Sequence, residues 1–443
     1  MEEETTSAET GKHSRNQSKI FNDPIWGPIE LNRVCVKIID TPEFQRLRFV
    51  KQLGGCSFVY PGAIHTRFEH SIGTSYLAGL LVRSLKDKLK LNPEYNITIE
   101  DKDILCVEIA GLCHDLGHGA FSHLFDLLFI PRIDRETKWT HEKASIEMLF
   151  QIFDNNMDVL RKIGDDDYDK LDLEKGSNSK DRAFIEGLIL GTKKPESKSG
   201  RGKEKDFLYE IVANEENKID VDKWDYFSRD CHMLGLKHNF QIMRSIKLAR
   251  VIKHDDGYHI SFPISEYMNI FDMYHARYTL HRRAYQHPVN KAVELMITDA
   301  LCLADDKLMA GDGKTEIKLS DTIKNMEAYT FVTDGVIDRI RFENFEDEKF
   351  KKAKEIIKRI FRREFYKCEK KSGMERRVKD SRKAKGGELT KDQKIIHQLI
   401  KNEDIHVEPV VFNYGAKEEN PMDKVYFYRG DASDKPTYDE VSF

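Results

Sequence analysis

The chain is poor in cysteine and has no paired cysteine motif: seven residues, Cys35, Cys56, Cys106, Cys113, Cys231, Cys302 and Cys368, are scattered through 443 positions. That spread argues against a thiolate metal site of CxxC type and against a disulfide framework, and it fits a reducing compartment. Long apolar runs are also missing, so no stretch reads as a membrane span. The first residues, MEEETTSAETGKHSRNQSK, are acidic and polar and lack the apolar centre of a secretion signal. Nucleus or cytoplasm is the expected location, with no membrane partner. Charge of either sign is not in excess: 72 Lys and Arg against 76 Asp and Glu leave a net charge of −4. This balance excludes a dedicated nucleic-acid coat but leaves room for local basic patches. Internal repeats are absent, and strand signals are few and short.

Helical periodicity is what the sequence has in quantity. TPEFQRLRFVKQLG combines an N-cap Thr41, Pro42 at the first helical position, apolar Phe44, Leu47 and Val50, and Gly54 as a stop. Segments 69–91, 101–116, 141–162 and 181–191 repeat apolar residues every three to four positions. KIFNDPIWGPIEL reads as a short strand and turn, GYHISFPI as one strand of a hairpin, and HVEPVVFNYG with DKVYFYRG as an antiparallel pair. The expected fold is mainly α, a helical bundle with short β hairpins and a small α+β C-terminal lobe. The expected divisions are a disordered tail over 1–18, a large helical domain over 19–366, a basic linker over 367–387 and a C-terminal lobe over 388–443. Two inserts, GDDDYDKLDLEKGSNSKD and GTKKPESKSGRGKEKD, read as solvated loops.

The stretch AGLCHDLGHGAFSH, Ala110 to His123, concentrates imidazole beside a carboxylate. One buried histidine is ordinarily a satisfied core residue; several together ask for a metal, an anion or a proton to move. On a continuous helix His114 and His118 would share a face, with Asp115 at its rim. Imidazole and carboxylate without thiolate suit Zn, Fe, Mn or Ni and tilt away from a structural zinc. RFEHS adds His70. IDVDKWDYFSRDCH adds Asp222, Tyr226 and Asp230 at i, i+4 and i+8, while Trp224 and Phe227 form the apolar face and leave that stripe to line a cleft. The glycines Gly117 and Gly119 read as points where backbone bends close to a charged ligand.

The order His70, His114-Asp115, Asp222 resembles the HD superfamily of metal-dependent phosphohydrolases. The motifs KIFNDPIWGPIEL, DTPEFQRLR, KQLGG, PGAIHTRFEHSIG, GLCHDLGHGAFSH, DVDKWDYFSRDCH and LHRRAYQH resemble, more closely, the SAM and HD domain containing deoxynucleoside triphosphate triphosphohydrolases of animals. The likeness runs from about Lys19 to about Tyr428, so the catalytic HD region with its C-terminal lobe is expected, without a SAM domain.

What the resemblance implies is hydrolysis of a dNTP at the α-phosphorus to a deoxynucleoside and intact triphosphate. A divalent metal would be held by His70, His114, Asp115 and Asp222, with Mg accompanying the nucleotide. His123 would be the acid, Asp126 would hold its tautomer, and His118 and His141 would complete the catalytic histidines. Arg67, Lys223 and Arg277 would meet the phosphates; Gln52, Leu53, Tyr226, Asp230, His281, Tyr285 and Gln286 would meet sugar and base. In MYHARYTLHRRAYQH the residues Arg277, His281 and Tyr285 again follow a helical stripe, and the Tyr285 ring would exclude a ribose 2′-hydroxyl.

The same resemblance implies a homotetramer with GTP or dGTP and dNTP activators between subunits, as an allosteric enzyme of dNTP-pool control or antiviral defence. Lys19, Ile20 and Asn22 would face effector phosphates, while Asp40, Gln45 and Arg48 would read guanine. Val59, Arg244, Asn269, Val289, Arg363 and Lys367 complete the effector set. Pro263, Ser265 and Pro288 depart from the basic or longer polar residues of animal relatives, so weaker anion binding and altered or relaxed dNTP activation are expected. Single-stranded nucleic acid on the basic segments is the runner-up partner reading, although those segments lack interleaved aromatics. Another HD phosphohydrolase specificity is the third.

Overall fold

The computed structural model describes residues 18–162, 171–173, 179–192, 200–313, 316–367 and 420–429. It opens with an antiparallel hairpin, β1 (Lys19–Asp23) and β2 (Gly27–Leu31), in which Lys19 stands opposite Leu31 and Asp23 opposite Gly27. Asp23 shapes the turn, its Oδ1 accepting from the backbone of Ile25 and Trp26 at 2.8 and 2.9 Å. Helices α1 (Arg33–Ile39) and α2 (Pro42–Gln45) follow. Thr41 and Pro42 start α2 as expected, but the helix tightens into a 3₁₀ turn over Arg46–Phe49 and stops before Gly54. Gly54 instead has φ +51° in a separate turn, where a Cβ would stand 2.8 Å from the Phe121 carbonyl oxygen.

The centre of the bundle is α3 (Arg67–Leu89) packed along α4 (Asp101–Cys113). Each begins with a reciprocal capping box, Thr66 with Glu69 and Glu100 with Asp103. Next come α5 (Ile130–Ile133), α6 (His141–Lys162), α7 (Lys180–Leu190) and α8 (Val221–Leu234), with α6 and α7 against α4 and α8 against α3. Apolar α3 and α4 residues such as Leu77, Leu81, Val107, Ile109 and Leu112 are fully enclosed. Fully burying each such side chain stabilises the fold by about 1.5–3 kcal/mol.

Beyond this core lie α9 (Ile242–Leu248), the hairpin β3 (Arg250–His254) and β4 (Gly257–Pro263), and α10 (Tyr267–Leu280). Then come α11 (Pro288–Ala304), the short pair β5 (Met309–Gly311) and β6 (Glu316–Lys318), α12 (Met326–Tyr329), α13 (Val336–Phe342) and α14 (Glu348–Phe361). The fold is mainly α with small sheets, as expected.

One sequence expectation changes, and others fall outside the described residues. The strand β7 (Phe427–Tyr428) from DKVYFYRG pairs in parallel with β4, Phe262 opposite Phe427, because that edge of the β3–β4 hairpin is open to it; HVEPVVFNYG lies outside the described residues. The Lys-rich insert is not wholly solvated: its end turns inward, where Arg201 meets Asp103 and Asp181 at 2.6 Å each and Lys205 meets Asp103 at 2.8 Å. Buried carboxylates demand those cations. The tail over 1–17, nearly all of the expected linker and most of the C-terminal lobe lie outside the described residues.

Candidate active site

His70 enters the site from the first turn of α3, His114 and Asp115 from just beyond the C-terminus of α4, and Asp222 from the first turn of α8. Asp220 caps α8 by accepting from Lys223 N at 3.1 Å, and Gly235 at φ +67° ends it. His70 Nε2 lies 3.2 Å from Asp222 Oδ1 and 3.3 Å from Asp115 Oδ2; His114 Nε2 lies 3.3 and 3.5 Å from the same two oxygens. Ligands about 2.0–2.1 Å from one ion, at octahedral or tetrahedral angles, stand roughly 2.9–3.4 Å apart. His70, His114 and Asp222 therefore fit a divalent metal, with Asp115 beside the two histidines at its rim.

The outer nitrogens support that fit. His70 Nδ1 is 2.8 Å from Asp225 Oδ2, and His114 Nδ1 is 2.8 Å from the Gly111 carbonyl oxygen, contacts that point each Nε2 lone pair inward. His70 Nε2 is buried and makes no hydrogen bond among the described residues. Burial opposes charge on His70, yet Asp115, Asp222 and Asp225 together hold its imidazole well above the ordinary value. The pocket thus attracts positive charge.

His118 is not on the helical face of His114, contrary to expectation. Helix α4 ends at Cys113, and a succession of turns carries residues 114–122. Gly117 and Gly119 are close-approach points, but against protein rather than ligand. A Cβ on Gly117 would stand 2.3 Å from His141 O at the start of α6, and one on Gly119 would stand 2.5 Å from the Phe125 ring. This passage seats His118 against His141, ring centroids 3.9 Å apart and nearly parallel at 18°. His123 closes the group at 4.8 Å from His118 and 5.2 Å from His141.

Asp126 holds His141 more directly than His123: its Oδ2 is 2.7 Å from His141 Nδ1, while Oδ1 is 3.6 Å from His123 Nδ1. Burial opposes charge on His141, but Asp126 raises its basicity. Burial, then Arg67 and His141, drive His118 well below the usual histidine range. One imidazole is thus held neutral while its stacked neighbour favours a proton. Side-chain exposure separates the third: His123 is 58% accessible, against 1% for His118.

Arg67 forms an ion pair with Asp115 and donates from Nε to Ser122 Oγ at 2.9 Å. Lys223 Nζ rests on Asp220 at 2.6 Å, and Arg277 lies half-buried on α10. On the opposite wall, Tyr285 donates to Asp230 Oδ2 at 2.5 Å, and its ring lies 6.5 Å from that of Tyr226. Arg277, His281 and Tyr285 do not form one regular stripe: α10 ends at Leu280 and widens into a π-turn, Gln286 N bonding His281 O at 2.9 Å. His281 and Tyr285 still meet, with ring centroids 4.9 Å apart. Gln52 is buried, and Leu53 and Gln286 are half-buried.

The expected effector residues occupy several surface places. Lys19, Ile20 and Asn22 are exposed on β1, and Asp40 is exposed after α1. Arg48 donates to Gln45 at 2.8 Å and lies 3.5 Å over the Phe68 ring. Arg363, at φ +62°, donates to Phe58 O at 3.3 Å, next to Val59. Arg244 pairs with Glu266, Asn269 donates to Ser245 Oγ at 3.0 Å, Val289 lies in the first turn of α11, and Lys367 is exposed.

Sequence reasoning missed the supports. His65 Nε2 is 2.7 Å from Asp230 Oδ1. Phe121 and Ser122 have φ +61° and +56°, strained for non-glycine residues. Arg46 donates to the carbonyls of Leu116, His118 and Val332, while Asp334 accepts from Phe121 N at 2.7 Å and Lys51 N at 3.1 Å. No local motif announces Arg46 or Asp334, whose partners lie far away in sequence.

With this geometry in view, the comparisons with known proteins define the class: residues 67–185 match the HD domain. The match contains His70, the His114-Asp115 pair and all three clustered histidines. The chain is 44% identical over 424 residues to the human deoxynucleoside triphosphate triphosphohydrolase SAMHD1, covering 93% of this chain and 65% of that one. The Bos taurus protein of that name is also 44% identical, with 93% and 69% covered. The Dictyostelium discoideum SAMHD1 homolog is 37% identical, with 95% and 73% covered. The chain belongs to the SAMHD1 family, and it spans about two thirds of the length of these relatives. Among the described residues no helix is long and apolar enough to cross a membrane.

Proposed function

We propose that the chain hydrolyses deoxynucleoside triphosphates to deoxynucleoside and inorganic triphosphate. The observation that carries this reading is that Asp115 joins the two histidine groups. Its Oδ2 faces His70 at 3.3 Å and its Oδ1 faces His118 Nε2 at 3.3 Å, so a metal-type donor set and a proton-handling set share one wall. The relatives' names supply the substrate class.

His70, His114, Asp115 and Asp222 would hold a divalent metal, and the mixed nitrogen and oxygen donors accept Zn, Fe or Mn. Such an ion supplies positive charge for the phosphoryl oxygens and makes water a better nucleophile. The chain's own residues do the rest. His141, kept basic by Asp126, faces the phosphate as a cation, with neutral His118 stacked on it. His123, the exposed member, gives a proton to the leaving 5′-oxygen as the bond from α-phosphorus to that oxygen breaks. Arg67 offers its guanidinium to phosphate oxygens. The Tyr285 ring, fixed by Asp230 and His65, lies against the sugar and leaves little room for a 2′-hydroxyl.

GTP or dGTP and dNTP act as effectors between subunits of a homotetramer, with Asp40, Gln45 and Arg48 reading guanine. Asp40, exposed after α1, would accept from the N1 and N2 donors of guanine, which adenine lacks. The expected location is nucleus or cytoplasm. Purified chain incubated with dGTP and Mg or Mn tests the reading: deoxyguanosine and triphosphate are the expected products. Formation of dGMP and pyrophosphate, or no turnover in the presence of GTP, contradicts it.

A further inference from the structure

The hairpin at the start of the chain is joined to a metal-type histidine by a closed set of hydrogen bonds. Trp26 Nε1, in the turn of the hairpin, donates to Asp225 Oδ1 at 2.6 Å. The other oxygen of the same carboxylate lies 2.8 Å from His70 Nδ1. Arg229, one turn further along α8, donates to both oxygens of Asp225 at 2.8 and 2.9 Å and reaches back to Asp23 Oδ2 at 2.9 Å. His70, Asp225 and Arg229 are at most 1% exposed, so water does not substitute for these bonds.

The sequence makes room for this network at Gly73. Any Cβ there would stand 1.9 Å from Asp225 Oδ1 and 2.5 Å from Arg229 Nη2. Glycine costs about 1 kcal/mol in a helix relative to alanine, and Gly73 lies in the interior of α3. The cost admits a buried carboxylate behind His70. That carboxylate fixes the ring's tautomer and direction and raises its basicity as a ligand. Asp225 therefore stands to His70 as a positioning residue, and Trp26 and Arg229 stand in the same relation to Asp225.

We infer that the N-terminal hairpin is part of the metal site: Trp26, through Asp225, sets the affinity of His70 for the ion. The hairpin's exposed strand carries Lys19, Ile20 and Asn22, so anything that displaces it reaches the metal ligand through two hydrogen bonds. This inference rests on the reading of His70, His114, Asp115 and Asp222 as metal ligands.

The test is cobalt binding to the metal-depleted full chain, followed by calorimetry and by the visible absorption of the bound ion. Asp225→Asn is expected to weaken binding by about 10–100-fold and to change the cobalt band. Because that variant leaves buried Arg229 with Asp23 as its one carboxylate partner among the described residues, Trp26→Phe provides the second arm; it keeps an aromatic ring and removes only the donor. Loss of a hydrogen bond to a charged group predicts weakening by roughly 10-fold. Wild-type affinity and an unchanged band in Trp26→Phe, whether or not its melting temperature falls, overturn the inference. Failure of the wild-type chain to bind cobalt, or binding unaffected by His70→Ala, instead overturns the metal reading beneath it.

Discussion

Asp115 and His118 meet at 3.3 Å, and Arg67 is paired with the same carboxylate. This contact lets one side chain serve two kinds of chemistry, with one oxygen toward the metal-type histidines and the other toward the stacked imidazoles. His118 stays neutral despite that contact, because burial and the nearby cations Arg67 and His141 outweigh the attraction of Asp115. The consequences can be measured.

Asp126 anchors the proton-handling group without facing the metal-type residues. Asp126→Asn removes the charge that keeps His141 basic and the acceptor that orients its ring. The expected result is a fall in kcat of about 10²–10⁴-fold. Metal content by elemental analysis is expected to stay at the wild-type level. A matching loss of metal would place Asp126 in the ligand set instead.

Tyr285 is the expected gate for the sugar. Tyr285→Ala opens the space beneath it, and the ratio of kcat/KM for dGTP over GTP is expected to fall at least about 10-fold. Retained discrimination, with only overall activity lost, would move deoxy selectivity to another group.

Burial pushes the Asp334 carboxyl up to about 6, the backbone donors Phe121 N and Lys51 N offsetting only part of that effect. An acid whose folded pKa is raised binds its proton more tightly in the native state than in the unfolded chain. Its contribution to stability therefore rises as pH falls from about 6 to about 4, and is lost as pH rises through that window. The melting temperature of wild type minus that of Asp334→Asn should accordingly decline between pH 4 and pH 7. A flat difference would show that Asp334 titrates like an ordinary carboxylate.

Pro263, Ser265 and Pro288 offer no cation to a nucleotide triphosphate. Pro263 is committed to β4 opposite Tyr428, and Pro288 opens α11, so neither place tolerates much rearrangement. Titrating dATP into a GTP-primed sample should give shallow tetramerisation by light scattering. A steep transition would show that other residues bind the second effector.

The helices and the ligand types were legible because periodicity and capping are local. Thr66 and Glu69 mark the start of α3 four residues before His70. The family resemblance also grouped His118, His123, Asp126 and His141, and the structure brings these side chains together. What the sequence did not carry was the break after Cys113. An apolar segment with two glycines reads as helix, and only the approach of the α6 backbone to Gly117 shows why the chain must leave it. The π-turn at His281–Tyr285 was hidden for a similar reason, since one added residue in a helical turn has no sequence signature of its own. Asp225 was hidden differently: it stood among recognised residues, one place after Trp224, but its partners Trp26 and His70 come from distant elements.

In the proposed reaction water attacks the α-phosphorus and the 5′-oxygen departs. Hydrolysis of dGTP in water labelled with heavy oxygen, followed by mass spectrometry of both products, tests it most directly. One labelled oxygen is expected in the triphosphate and none in the deoxyguanosine. Label in dGMP or pyrophosphate, or in the 5′-hydroxyl of deoxyguanosine, would contradict it.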